Sequence, residues 1–427
     1  MNTNVKLKIP YGGGFLRFSL PSDRLLGILK NRCAARKNIK SMLAESLGSK
    51  SKKKLLKKLS ADKKNILIVV PDATRKAHLK DLLPCLLKML GEKGCVSDVI
   101  IATGLHKRHD KRQIEALLGK TILAQCRILN HGQDKTSLMN RSSTSRGIPI
   151  ILNKNLTNYD FIISIGVVEP HLLAGYSGGA KTVAIGLAGE DTINATHSIE
   201  FLDHPLTKIG SISHNPFQET LWEIAKAVRI GFAINVVNDC EGSTAAIFSG
   251  NLKKVFCDAV RFSKGIFESE VKKEADIVIC GIGHPKDINL YQASRAVNYI
   301  LNVDRPILKK GGVLIVAAQL GEGTGDGISE KRFYKELRNM ASPRDFIRRT
   351  RQAGCVAGVH RAYMVARPLL DYKIVFVSVG DKAFMRGLPF VYFDSIRDAL
   401  LYSDKIAGEN SKIYVVPRAL STIARRC

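Results

Sequence analysis

The chain lacks the features that mark several protein classes. No stretch of its 427 residues approaches the ~18 consecutive apolar positions that a membrane-spanning helix needs. The opening MNTNVKLKIPYGGG has no apolar core of a secretory signal, so none is expected. Its nine cysteines (33, 85, 95, 126, 240, 257, 280, 355 and 427) form no CxxC pair, which speaks against a zinc knuckle or a thioredoxin-like centre. An odd, unpatterned set fits reduced thiols of a cytoplasmic protein, packed as small hydrophobes. HExxH is also missing, so a metal held wholly by protein ligands is not expected. There is no internal repeat, and low complexity is confined to one lysine-rich run.

What is present is an ordinary core and a large positive charge. Hydrophobic residues make up 45%, and the length suits two or three domains. The formal net charge is +28. Between Lys30 and Lys64 lie thirteen Lys/Arg and two acidic residues, including SKKKLLKKLSADKK. No aromatic residue interleaves with these lysines to stack on bases, so the run reads better as an amphipathic helix, with Leu55, Leu56 and Leu59 inward, than as a nucleic-acid site. The rest of the surplus is dispersed and favours anionic small molecules.

VKLKI and FLRFSL flank a Tyr-Gly-Gly-Gly turn and predict a hairpin. Apolar runs follow at 65–71, 95–104, 161–166, 229–237, 276–283, 312–320, 373–380 and 413–417, with helical patterns between several of them, including one predicted from about Lys76 to Leu90. Near-continuous apolarity suits strands covered on both faces, and intervening helices suggest βαβ crossovers. The fold expected is α/β: two Rossmann-like domains with the active site in the cleft between them. The polar stretch at 262–274 divides them into 1–265 and 266–427.

In such sheets ligands gather beyond the carboxyl ends of the strands. Those positions are rich in chemistry here. Asp72-Ala-Thr-Arg75 follows 65–71, and His106 follows 95–104. Glu169-Pro-His171 and AGYSGGAKT follow 161–166. Further on, His284 and Tyr291-Gln292-Ala-Ser-Arg295 follow 276–283, and GEGTGDG follows 312–320. GYSGGAKT (175–182) approaches the phosphate-binding pattern GxxxxGK[ST], but Ala180 occupies the second glycine position and eight residues separate the strand from Gly175. Gly178 and Gly179 read instead as a loop that lets backbone approach a phosphorylated ligand, with Lys181 as counter-charge or covalent anchor. Asp72 or Thr74 is positioned to cap the next helix, and Arg75 beside a helix start makes a carboxylate or phosphate site.

Taken together, PDATR (71–75), ATGLH (102–106), EPHLLAGYSGGAK (169–181), His197 and YQASR (291–295) resemble the lactate racemase family, in order and separation, over nearly the whole chain. The resemblance implies a nickel-pincer nucleotide, nickel pyridinium-3,5-bisthiocarboxylic acid mononucleotide. It also implies that Lys181 joins the group through a thioamide and that His197 is the one protein ligand to nickel. Two sulfurs and a carbon of the cofactor would complete a planar donor set suited to Ni(II). By the same resemblance His106 and His171 are the acid–base pair. Asp72, Arg75, Gly178 and Gly179 line the cofactor, and Arg75, Tyr291, Gln292 and Arg295 reach the substrate. Two positions depart from the family pattern. Arg295 replaces a lysine, which turns a point charge into a planar fork. In GVHRAYMVA, His360 replaces an active-site tryptophan, so the pocket exchanges a bulky apolar wall for a polar group.

The activity implied is racemisation or epimerisation of a small 2-hydroxy acid, lactate-like or larger, by hydride transfer to and from the cofactor. One histidine takes the hydroxyl proton and the second serves the opposite enantiomer. The partners implied are that substrate and the enzymes that build the cofactor, with no membrane and no nucleic acid. Three alternatives remain open, one of them a family member without activity that uses the fold only to bind ligand. A P-loop or dinucleotide-binding α/β enzyme would bind ATP or NAD, and a nucleic-acid-binding protein would show steep salt dependence through residues 30–64.

Overall fold

The computed structural model describes residues 3–33, 38–48, 50, 54–55, 65–92, 94–378 and 383–427. Most of the lysine-rich run lies outside them, so its expected amphipathic helix is not described. Leu55 is described and is buried. The chain folds into two compact units. One comprises 32–196 and 211–266, the other Met1–Asn31, His197–Gly210 and Phe267–Cys427. These compact units differ from the expected division at 265/266 over two stretches, 1–31 and 197–210. The first is drawn over because Leu25–Ile28 pairs with Ile413–Val416. The second is held by Asp203, whose carboxylate meets Arg351, Arg367 and the Tyr363 hydroxyl.

In the first unit six strands lie in the order Thr244–Gly250, Phe232–Asn238, Phe161–Val167, Asn65–Pro71, Val96–Ala102, Ile128–Asn130. All pairings are parallel except that of the edge strand Thr244–Gly250. Ile66–Val70 and Phe161–Val167 are buried along their lengths, as strands covered on both faces must be. Helices Leu79–Gly91 and Pro216–Val228 bury apolar stripes. The first of these starts at Leu79, not near Lys76. His78 before it adopts a left-handed backbone, φ 50°, which the helix cannot continue through.

The second unit carries another six-stranded sheet, in the order Val391–Phe393, Lys373–Val377, Leu308–Ala317, Ala275–Gly281, Ile413–Val416, Leu25–Ile28, parallel throughout. The expected hairpin is present as Asn4–Tyr11 paired with Gly14–Pro21. Its buried Leu7, Ile9 and Leu20 join the apolar core of this second sheet. The α/β class with parallel sheets expected from the apolar runs is the class observed.

Candidate active site

Phe161–Val167, Asn65–Pro71 and Val96–Ala102 are adjacent and parallel, so their carboxyl ends share one edge of the first sheet. Asp72, immediately after Pro71, is buried. Its Oδ1 accepts from Thr74 N (3.1 Å) and Thr74 Oγ1 (2.6 Å), and its Oδ2 lies 2.6 Å from His106 Nδ1. Burial pushes the Asp72 carboxyl up, but the hydrogen bond and charge of His106, the Thr74 hydroxyl and Arg75 outweigh it and hold the group below its ordinary value. A carboxylate facing Nδ1 fixes the proton there and leaves Nε2 as the basic nitrogen of His106. The His106 side chain is 62% exposed, so that nitrogen is open to a ligand.

Asp72 thus closes its own turn, with Arg75 N donating to Asp72 O at 3.1 Å, and does not cap the following helix. The expected anion site at a helix start beside Arg75 is not formed, because that helix begins four residues later. Arg75 instead forms an ion pair with Glu169, which ties the Asp72 turn to the segment carrying His171. His109, overlooked in the sequence, supports the same turn: its Nε2 accepts from Ala73 N at 3.1 Å.

Residues 170–176 fold back as a two-residue pairing, Pro170 with Tyr176 and His171 with Gly175. His171 Nδ1 accepts from the backbone N–H of Leu173 (3.3 Å) and Ala174 (3.1 Å). In the neutral ring the proton therefore sits on Nε2, the opposite tautomer to His106. Gly178 and Gly179 have φ of 82° and 52°. A Cβ on Gly178 would lie 2.7 Å from Val168 Cγ2, and one on Gly179 2.7 Å from Phe256 Cδ2. The glycines are thus required by packing within their own unit, beyond any approach of a ligand. Asn235 Oδ1 locks the loop by accepting from Gly179 N at 3.1 Å. Lys181 opens a helix of four residues, Lys181–Ala184, after this hairpin. A strand running straight into a long phosphate-binding helix is not what forms, which removes the P-loop reading.

The second unit holds the remaining residues. His197 lies in the turn between helices Glu190–Thr196 and Ile199–Asp203. Its ring centroid is 5.3 Å from that of His360, on helix Val359–Ala366. Burial and the neighbouring His197 and Arg361 hold His360 well below the ordinary histidine range, so it is neutral. Tyr291 and Gln292 sit on a short helix started by Asn289, whose side chain accepts from Gln292 N at 3.0 Å, and Arg295 opens the next helix after Ser294. The glycine cluster at 321–327 braces this start. Leu290 N donates to Gly323 O, and Glu330 accepts from both Asn289 Nδ2 and Gly327 N. Arg295 donates to Gln292 Oε1 (3.4 Å) and Tyr299 Oη (3.2 Å). Arg361 packs its guanidinium 5.3 Å from the centre of the Tyr291 ring. It was missed in the sequence, where a lone cation within the otherwise apolar AYMVA context was the available signal. His284, one of the strand-end histidines, is exposed.

Residues 11–210 match the lactate racemase N-terminal domain and residues 271–424 the lactate racemase C-terminal domain. The chain is 28% identical to a lactate racemase of Thermoanaerobacterium thermosaccharolyticum, covering 99% of each chain. It is 27% identical to a lactate racemase of Lactiplantibacillus plantarum, over 99% of this chain and all of the relative. The solved lactate racemase apoprotein from T. thermosaccharolyticum superposes with a TM-score of 0.89 at 27% identity, covering 99% of this chain. A Thermotoga maritima structure at 18% identity and TM-score 0.68 shares the fold.

Proposed function

The chain belongs to the lactate racemase family, and from that premise we propose that it is a racemase or epimerase that inverts the Cα centre of a small 2-hydroxy acid by moving its hydrogen as hydride. The observation that carries this reading is the pairing of Asp72 with His106 on the sheet edge that also bears His171. Lactate itself is the substrate suggested by the relatives' names.

The residues fit the nickel-pincer nucleotide on the chemistry of the donor set. Among the described residues, no group of three or more His, Cys, Asp or Glu side chains is arranged to hold a metal ion. A metal bound through His197 would thus draw its other donors from an organic ligand, which a pincer supplies. Lys181 would tether that ligand and His197 would bind the nickel. When bound, the group supplies an electron sink for the Cα hydrogen, which beside an ionised carboxylate is a very poor acid.

The chain's own contribution is proton handling and orientation. His106 Nε2, left as the proton-accepting nitrogen by Asp72 at Nδ1, takes the substrate hydroxyl proton. His171 offers Nε2–H to the substrate oxygen. To accept a second proton at Nδ1 it must release the Leu173 and Ala174 amides, so the two histidines are not equivalent in the resting protein. Arg295 binds the C1 carboxylate as a planar fork, with Tyr291 and Gln292 beside it. His360, neutral and polar, admits a substituent that an indole would exclude. Gly178 and Gly179 shape the backbone leading into Lys181.

The test uses protein produced with the cofactor-building enzymes and an enantiopure 2-hydroxy acid deuterated at Cα. Inversion with deuterium retained at Cα is expected. Inversion with deuterium washed into solvent would show proton abstraction and overturn the hydride reading, and no inversion of any 2-hydroxy acid would overturn the activity.

A further inference from the structure

Among the described residues Arg361 is a cation without a counter-ion. Its Nε and Nη1 atoms are shielded from solvent and meet no hydrogen-bond partner, and the same holds for Nδ1 of the preceding residue, His360. Among the described residues no carboxylate forms an ion pair with Arg361. Other arginines of the same unit differ: Arg351 and Arg367 share Asp203, and Arg349 takes Glu336. The interactions of Arg361 are instead the Tyr291 side chain, with its ring centre at 5.3 Å and its hydroxyl as a hydrogen-bond partner, the nearby Tyr299 hydroxyl, and the like charge of Arg295. Burial and Arg295 both act against its charged form, with Tyr291 opposing them.

A guanidinium stays protonated in proteins, so it cannot escape burial by losing its proton. A shielded charge is costly unless paired, and one aromatic face compensates only part of that cost. Two arginines close enough to repel, Arg361 packed on Tyr291 and Arg295 on Tyr299, make an arrangement that becomes favourable when two anionic groups enter. A monocarboxylate satisfies one of them.

We propose that Arg361 binds a second carboxylate, so that the preferred substrate is a 2-hydroxy dicarboxylic acid whose C1 carboxylate rests on Arg295 and whose distal carboxylate rests on Arg361. This rests on the reading of Tyr291, Gln292 and Arg295 as substrate contacts. The planar fork of each guanidinium matches a carboxylate at both ends. His360, with its unpartnered Nδ1, adds a hydrogen-bonding atom in the same shielded region.

The test measures binding and stability, so that it does not depend on turnover. Calorimetry on the full-length, cofactor-loaded protein compares lactate, 2-hydroxybutanedioate and 2-hydroxypentanedioate with inorganic phosphate as control. At least one dianionic acid is expected to bind about tenfold or more tighter than lactate. R361M should bring that affinity down to the lactate level while leaving lactate within about twofold, and R361K should fall between. In ligand-free protein R361M should unfold at the same temperature as wild type or higher, since it removes an unpaired shielded charge. The dianion should raise the midpoint of wild type only.

Equal affinity for lactate and both dianions overturns the proposal, as does an R361M variant that weakens all acids alike. A lowered ligand-free midpoint in both R361M and R361K would mark a structural arginine and also overturn it. Phosphate binding as tightly as the dianion would show a general anion site and overturn the proposal too. Failure of the racemase reading is separate: it appears as absent inversion, whatever the binding shows.

Discussion

His106 Nδ1 lies 2.6 Å from a buried oxygen of Asp72, and this contact sets which nitrogen of the imidazole can accept a proton. D72N keeps the shape of the contact and removes its charge. The amide can donate to Nδ1 and so turn the proton onto Nε2, the wrong nitrogen for a base. We expect kcat to fall by about 10²–10⁴-fold with near-normal folding, by analogy with the effect of a reversed tautomer in acyl-transfer triads. Steady-state kinetics with circular dichroism checks this; a loss under about threefold would mean that Asp72 only shapes the turn.

His171 is held in the other tautomer by two backbone amides. Long-range ¹⁵N correlation spectra should show protonated Nε2 for His171 and protonated Nδ1 for His106 in one sample at neutral pH. H106A and H171A should each remove most activity while nickel content stays normal. Enantiomers are equal in energy, so kcat/KM must fall equally in both directions; the difference between the residues should surface in kcat and KM taken separately. Retained activity in both variants would end the acid–base assignment.

Lys181 should carry the cofactor as a covalent adduct. Intact mass spectrometry of protein made with the cofactor-building enzymes should show added mass, and K181A should lack it. H197A should keep the adduct and lose bound nickel, which separates tether from ligand. An adduct that persists in K181A would point to another residue.

A pH effect on stability follows from a histidine outside the site. His131 is fully buried, with Nε2 3.1 Å from Ala188 O and Nδ1 3.0 Å from Asn153 Nδ2. Burial pulls it from the ordinary 6.5 down to about 4. The unfolded chain therefore binds a proton that the folded chain refuses, and stability rises with pH between those values. The contribution is complete above 6.5 and is lost as pH falls toward 4, up to about 3 kcal/mol. Denaturant unfolding at pH 7 and 4.5 should show a smaller acid loss for H131Q than for wild type. Equal losses would place the acid sensitivity elsewhere.

Much of the architecture was legible because strands covered on both faces are written as unbroken apolar runs. NILIVVP coincides with its strand at both ends. Short motifs at strand ends announced most of the candidate site, since the carboxyl edge of a parallel sheet is where loops can carry chemistry without disturbing the core. Their number and order carry the family resemblance.

Long-range packing decided the rest. Which turn Asp72 closes, that Arg75 meets Glu169 across 94 positions of sequence, and that Gly179 answers to Phe256 depend on which strands become neighbours. The assignment of 197–210 to the second unit depends on Asp203 finding Arg351, and the unpartnered guanidinium atoms of Arg361 are visible only once the chain has packed around them. A sequence records periodicity and local chemistry along one dimension; contacts between distant segments, and the charge that packing leaves uncompensated, exist only in three.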